Sequence, residues 1–149
     1  MLIDTAVLGT IEVGEQDLFH LPNGLPGFEQ VHQYALIGKE EDGVTLRWFQ
    51  AVDGGVPCFA VFNPFEVVDG YHPKVEADDL RALRCNHSNE LDYLVIAVVP
   101  KDITKTTVNL KSPIALNRRE NLARQVILSN KDYPIRFSLV EQPVQAQIS

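Results

Sequence analysis

Leu91-Asp92-Tyr93-Leu94-Val95-Ile96-Ala97-Val98-Val99, closed by Pro100, is the stretch on which the fold turns. Its continuous apolar part, residues 94–99, is six residues long, far below the roughly 20 that a bilayer-crossing helix needs. A short apolar run ended by a proline, which donates no backbone hydrogen bond, reads as a central strand covered on both faces. Cys58-Phe59-Ala60-Val61-Phe62 reads the same way. Asn63-Pro64-Phe65 stops it, because Pro64 removes a donor and drives Asn63 towards an extended conformation. The freed Asn63 amide is then placed to bond nearby backbone.

Working outward, strand signals dominate, separated by Gly, Pro, Asn and Asp. Thr10-Ile11-Glu12-Val13 alternates, with Ile11 and Val13 on one face. Residues 18–21 follow, then 34–37 and 45–52 flanking a charged hairpin loop over 38–43. Later strands are expected at 106–110, 114–116, 125–128 and 136–140. One segment, 76–84, reads as a helix: Ala77, Leu80 and Leu83 share a face, acids open it, and Arg81 and Arg84 close it. A second short turn is expected near 118–123. About ten short strands with one or two short helices give a mainly β fold. The expected form is a small closed or nearly closed β-barrel, or a sandwich.

The chain has 149 residues, 45% of them hydrophobic. That suits one domain, expected over 1–140 with 141–149 as a flexible polar tail. The formal net charge is −7, the wrong sign for gripping phosphate backbones, so direct nucleic-acid binding is not expected. The N-terminal segment carries no basic stretch, long apolar core or cleavage signature, and the two cysteines suggest no disulfide framework. A cytoplasmic protein with no membrane association is the expectation. Residues 1–75 carry 11 acidic and 3 basic side chains, and 76–149 carry 9 and 10. Gathered by the fold, the first set would suit a basic partner, although from charge alone a solvated surface that aids solubility is the favoured reading.

Motifs for chemistry are sparse. Gly24-Leu25-Pro26-Gly27 lacks the further glycine and following helix of a dinucleotide loop. Cys85-Asn86-His87 with nearby His72 falls short of paired zinc ligands, and Cys58 in its apolar strand reads as a small buried hydrophobe. His20, His32 and Glu29 flank one loop and could form an acid–base cluster, but incidental loop histidines fit the pattern better. Leu21-Pro22-Asn23-Gly24-Leu25-Pro26-Gly27-Phe28-Glu29 fixes a stiff reversal, with Leu25 and Phe28 as apolar anchors.

Taken in order, several segments resemble the flagellar assembly factor FliW family. They are Gly9-Thr10-Ile11-Glu12-Val13; Phe19-His20-Leu21-Pro22-Asn23-Gly24-Leu25-Pro26-Gly27-Phe28-Glu29; Phe49-Gln50-Ala51-Val52-Asp53; Pro57-Cys58-Phe59-Ala60-Val61; Asn63-Pro64-Phe65; and Asp69-Gly70-Tyr71. Thr107-Val108-Asn109-Leu110-Lys111-Ser112-Pro113-Ile114 and Gln125-Val126-Ile127-Leu128, then Tyr133, complete the series. The chain departs from the family where a glycine precedes the Gln-Val-Ile segment, having Ala123 or a neighbour there, and its tail after Val140 lies beyond the resemblance.

The residues themselves call for no cofactor or metal, and with no heptad stripe to demand a dimer a monomer is expected. The resemblance implies a small β-barrel-like cytoplasmic protein without catalysis. It also implies binding to the RNA-binding translational regulator CsrA, whose RNA binding is suppressed, and to flagellin, which releases the regulator. Flagellin synthesis is thereby coupled to secretion. The expected partner-binding residues are Asp53, Phe65, Glu66, Asp69 and Tyr71, where acids and aromatics share loops. The competing reading has Phe65 and Tyr71 plugging the barrel end and the acids merely solvated. A small-molecule-binding barrel, or an enzyme using His20, His32 and Glu29, are the readings from other classes.

Overall fold

The computed structural model describes residues 1–38 and 43–139. The tip of the expected 38–43 hairpin loop and the expected tail lie outside them. The strands are β1 Leu2–Thr5, β2 Gly9–Glu12, β3 Leu18–His20, β4 Gln33–Ile37, β5 Arg47–Ala51, β6 Cys58–Phe62, β7 Asp92–Val98, β8 Thr107–Val108, β9 Ile114–Asn117, β10 Leu122–Gln125 and β11 Phe137–Ser138. The helices are α1 Pro64–Val67 and α2 Ala77–Ala82.

Among the described residues seven strands close into a barrel in the order β7-β6-β5-β4-β3-β10-β9, with β9 returning to β7. Neighbours are antiparallel except at one seam, where β10 meets β3 in parallel through the pair Leu122 and His20. On one edge β7 serves two partners. Asp92–Leu94 pair with β9, and Ala97 and Val98 pair with β8, which carries β11 on its far side.

Alternation sorts the side chains. Tyr34 and Leu36 of β4, Phe49 and Ala51 of β5, and Phe19, Leu94, Ile114 and Leu116 fill the barrel. Ala35 and Val52 face outward under the β1–β2 hairpin, against Ile3 and Val13. On the opposite flank Tyr93, Val95, Val108 and Ala115 pack beneath Tyr71, Val75, Leu83, Cys85 and Leu128. This explains the central run: Leu94 points inward, while Tyr93 and Val95 point into a second covered layer. Only its end departs from expectation, since Val98 passes beyond that cover and is 66% exposed.

Several sequence expectations need correction. Residues 2–5 form a strand that their single apolar pair did not announce. Asn63-Pro64-Phe65 begins a helical turn, α1, because the Asn63 side-chain oxygen accepts the Phe65 N–H at 3.0 Å and Pro64 occupies the first helical position. The last barrel strand starts at Leu122, where a turn was expected, and ends at Gln125, where a strand was expected to begin. Val126 and Leu128 still hydrogen-bond to Pro113 and Lys111, so the chain keeps its course beyond that strand. Cys58 is half-buried; the buried cysteine is Cys85. Phe28 is largely exposed and touches Phe59 edge-on, leaving Leu25 as the buried anchor of its loop.

Helix α2 is shorter than expected, and Ala77 is exposed. Its end is a Schellman motif: Cys85 N–H donates to Leu80 O and Arg84 N–H to Arg81 O, with Arg84 at φ 57°. A non-glycine residue there carries left-handed strain of about 1–2 kcal/mol. Exchanging Arg84 for Gly removes it at the expense of a more flexible unfolded chain. The Arg84–Glu120 ion pair lost with it spans 3.7 Å between exposed groups and contributes little. Arg84→Gly is expected to raise stability by about 0.5–1 kcal/mol in denaturant titration; a loss would show that the ion pair outweighs the strain.

Candidate partner-binding surface

Helix α1 stands at the end of β6 and projects Phe65, which is 48% exposed. The base of the Phe65 ring is fixed by edge-on contacts to Tyr71 at 5.7 Å and Tyr93 at 6.1 Å. Glu66 and Asp69 flank it, both exposed and neither ion-paired among the described residues. Phe65 also lines a cleft with Arg47, Asp92 and Arg118, so an aromatic held rigid at its root and open at its tip stands among charges of both signs, the make-up of an interface anchor.

Tyr71 belongs to the support of that surface. It is buried, its hydroxyl donates to Leu110 O at 2.8 Å, and its ring lies 4.7 Å from Tyr133. Burial, reinforced by Tyr133 and Tyr93, pushes its hydroxyl pKa well above the usual tyrosine value. Tyr133 in turn accepts the His72 N–H at 2.7 Å. Tyr34 makes a useful contrast: it stacks flat on Phe49 at 4.8 Å, and its buried hydroxyl has no hydrogen-bond partner among the described residues. Burial lifts its pKa to about 12. Tyr71→Phe is therefore expected to cost about 1–3 kcal/mol by orphaning a buried carbonyl, whereas Tyr34→Phe should be neutral or slightly stabilising. Equal losses in thermal unfolding would contradict this assignment.

Asp53 lies elsewhere. In the β5–β6 pair Arg47 opposes Val61 and Gln50 opposes Cys58, so α1 follows one end of the pair and Asp53 follows the other. A strand of this length separates them by roughly 17 Å. The structure thus groups Phe65, Glu66 and Asp69, with Tyr71 beneath, and sets Asp53 apart beside the β1–β2 hairpin.

The charges segregate more cleanly than the sequence indicated. Arg81–Asp78, Arg84–Glu120, Arg118–Asp92, Arg119–Glu90 and Arg124–Asp79 are ion pairs, all within residues 78–124. The best buried is Arg124 to Asp79 at 2.7 Å, which ties β10 to α2. Glu90 also accepts the Asn86 and His87 N–H groups, which hold its carboxyl below the ordinary glutamate value. By contrast Asp4, Glu15, Asp17, Glu29, Asp53, Glu66 and Asp69 have no cationic partner among the described residues. Five arginines of the second half are thus neutralised by nearby acids, while these seven acids of the first half have no such counter-charge.

Two of the three residues considered for catalysis, Glu29 and His32, are engaged locally. Glu29 accepts the Gly27 N–H within its own turn, and His32 Nδ1 lies 3.0 Å from Leu21 O. The His20 and His32 rings are 6.3 Å apart, in a groove that Asp53 also lines. Burial pushes both thiols up, Cys58 and Cys85 alike, which lowers their thiolate fraction. Among the described residues no group of three or more His, Cys, Asp or Glu could hold a metal ion, and no helix is long and apolar enough to cross a membrane.

Comparison with known proteins agrees in sequence and in fold. A family described as FliW protein matches residues 2–139. The chain is 32% identical over 142 residues to the flagellar assembly factor FliW of Ruminiclostridium cellulolyticum, covering 95% of this chain and 96% of that protein. It is 33% identical over 142 residues to that of Thermoanaerobacter pseudethanolicus, covering 95% of each. Against the protein of that name from Syntrophomonas wolfei it is 34% identical over 147 residues, covering 99% and 93%. A crystal structure of the flagellar assembly factor FliW superposes with a TM-score of 0.81 at 29% identity, covering 93% of this chain and 96% of that one. With the whole barrel and both helices inside the matched span, the chain belongs to the FliW family.

Proposed function

We propose that this protein is a flagellar assembly factor that works by contact alone. It binds a CsrA-type translational regulator and suppresses its RNA binding. It also binds flagellin, which frees the regulator and couples flagellin synthesis to secretion. Family membership is the basis, and the set of first-half acids without a cationic partner among the described residues is the physical observation that carries the reading. A regulator that grips RNA presents positive potential. An acidic body docked beside it opposes incoming phosphates without filling the RNA site. The barrel interior, filled by Phe19, Tyr34, Phe49, Ile114 and Leu116, supports a protein-contact role over a small-ligand one.

The test is a titration of this protein into a regulator–RNA complex, followed by addition of flagellin. RNA release and then its reversal are expected, with inhibition weakening as salt rises, because fields between exposed charges are screened over roughly 8–10 Å near physiological ionic strength. Salt-independent inhibition at constant occupancy would remove the electrostatic part. Glu66→Lys with Asp69→Lys should weaken regulator binding about tenfold and leave the unfolding temperature nearly unchanged, as exposed substitutions do. Unchanged affinity would move the interface away from α1.

A further inference from the structure

The mouth of the barrel beside α1 holds a small charged cleft. Arg47 opens β5, Asp92 opens β7 and Arg118 follows the end of β9, so three strand ends bring them to one rim. Leu94 and Leu116 line the cleft as well, and half-exposed Phe65 forms its lip. Asp92 opposes Leu116 in the β7–β9 ladder, which sets it diagonal to Arg118, and Arg118 Nε donates to Asp92 Oδ2 at 2.6 Å. The guanidinium carbon of Arg118 lies 5.8 Å from the centre of the Phe19 ring, a cation–π contact that steadies it from below. With Nε engaged, the two terminal nitrogens of Arg118 make no hydrogen bond among the described residues. Arg47 is 8% exposed and its Nε donates to Gly38 O at 3.2 Å, so its charge is held in place. The cleft has a volume of about 80 Å³, room for two or three waters at roughly 30 Å³ each. A carboxylate with its adjoining methylene fits that space; a sugar ring or a nucleobase does not.

We propose that this cleft receives one acidic side chain, Asp or Glu, of a partner protein, whose apolar neighbour packs on Phe65. Arg118 offers the free ends of its fork to the incoming carboxylate, the geometry in which such pairs are strongest. Arg47 adds positive charge from a buried position, where charge acts with less screening than in water. Among the described residues that line the cleft two are cationic and one, Asp92, is anionic, so a single further negative charge suits it and a phosphate dianion does not. Glu66 and Asp69, exposed beside Phe65, repel acids that miss the cleft, which fixes the spacing between the acid and its apolar neighbour. The proposal concerns the α1 surface and holds whichever protein docks there.

The experiment titrates the full chain with the capped peptide acetyl-Leu-Glu-Leu-amide, followed by NMR at the Arg118 Nε–H and the Phe65 ring. The neutral isostere acetyl-Leu-Gln-Leu-amide and inorganic phosphate are run alongside. Saturable shifts at both groups are expected with the Glu peptide, and binding about tenfold weaker with the Gln peptide. Asp92→Asn should bind the Glu peptide more tightly, because it frees Arg118 Nε and removes the competing carboxylate. Arg118→Gln, followed at Phe65, should bind it about tenfold more weakly. Both variants should keep nearly the same unfolding temperature, since the pair they break is exposed. An ion pair that served structure alone would not move the two affinities in opposite directions. Equal binding of the two peptides, tighter binding of phosphate than of the Glu peptide, the same direction of change in both variants, or no saturable shift at tens of millimolar peptide would each overturn the proposal. Neither regulator nor flagellin takes part, so this outcome is independent of the regulator titration.

Discussion

Gly24→Ala is expected to lower stability by about 3 kcal/mol, combining left-handed strain with overpacking, which for a chain of this size is about 10 °C in unfolding temperature. Gly24 has φ +62°, and a Cβ there would sit 2.6 Å from Phe28 O and 2.7 Å from Glu29 Cα and O. Those atoms are backbone and cannot rotate aside. They are also tied down, because Phe28 N–H donates to Leu25 O and its own carbonyl accepts from Val31 N–H. Relief requires shifting the loop that seats Leu21 and Leu25 in the barrel, where each is 1% exposed. Gly27 is the internal control. Its φ is +84°, but nothing lies within 4 Å of its Cβ position, so Gly27→Ala should lose only the strain, about 1 kcal/mol. Similar losses for the two variants would mean the loop yields, and the steric account would be wrong.

Asn121→Ala should cost about 3 kcal/mol as well, from two lost hydrogen bonds and left-handed strain. At φ 52° Asn121 adopts the left-handed conformation that asparagine tolerates better than alanine. Its side-chain nitrogen donates to Glu15 O at 3.0 Å and Leu18 O at 2.9 Å, and its carbonyl accepts the His20 N–H at 2.8 Å. All three bonds cross the parallel seam, which has only one registered residue pair of its own. Asn121→Gly separates the contributions, since it relieves the strain and keeps the loss of the two side-chain bonds. Urea titration should rank wild type, Gly and Ala in falling stability, with faster amide exchange at His20 in both variants. If Asn121→Gly were as stable as wild type, the seam would not depend on these bonds.

The sequence exposed those features that rest on local rules. Continuous runs such as Tyr93-Leu94-Val95 marked strands with two covered faces, and the Pro22–Gly27 stretch marked a tight reversal, because period and turn chemistry are written locally. Residues 2–5 were silent for the opposite reason. They form a strand by covering Ala35 and Val52, contacts more than 30 positions away. The turn before β10 was misplaced because its geometry rests on Asn121, whose bonds reach back to Glu15 and Leu18. At the candidate surface, composition found Phe65, Glu66 and Asp69 together. It could not tell that Tyr71 would be spent holding Leu110, or that strand direction would carry Asp53 to the far end. Nor could it show that five arginines would each find an acid within their own half of the chain.

The double duty of β7 has a consequence for how the molecule comes apart. One strand lends successive stretches of the same edge to β9 and to β8, so the inner wall and the outer flank share a single backbone. Losing β7 strips both layers of a neighbour, so the inner wall cannot open at that strand without also releasing the flank. The flank pairs with it through Ala97 and Val98 alone and is the layer expected to open first in hydrogen exchange.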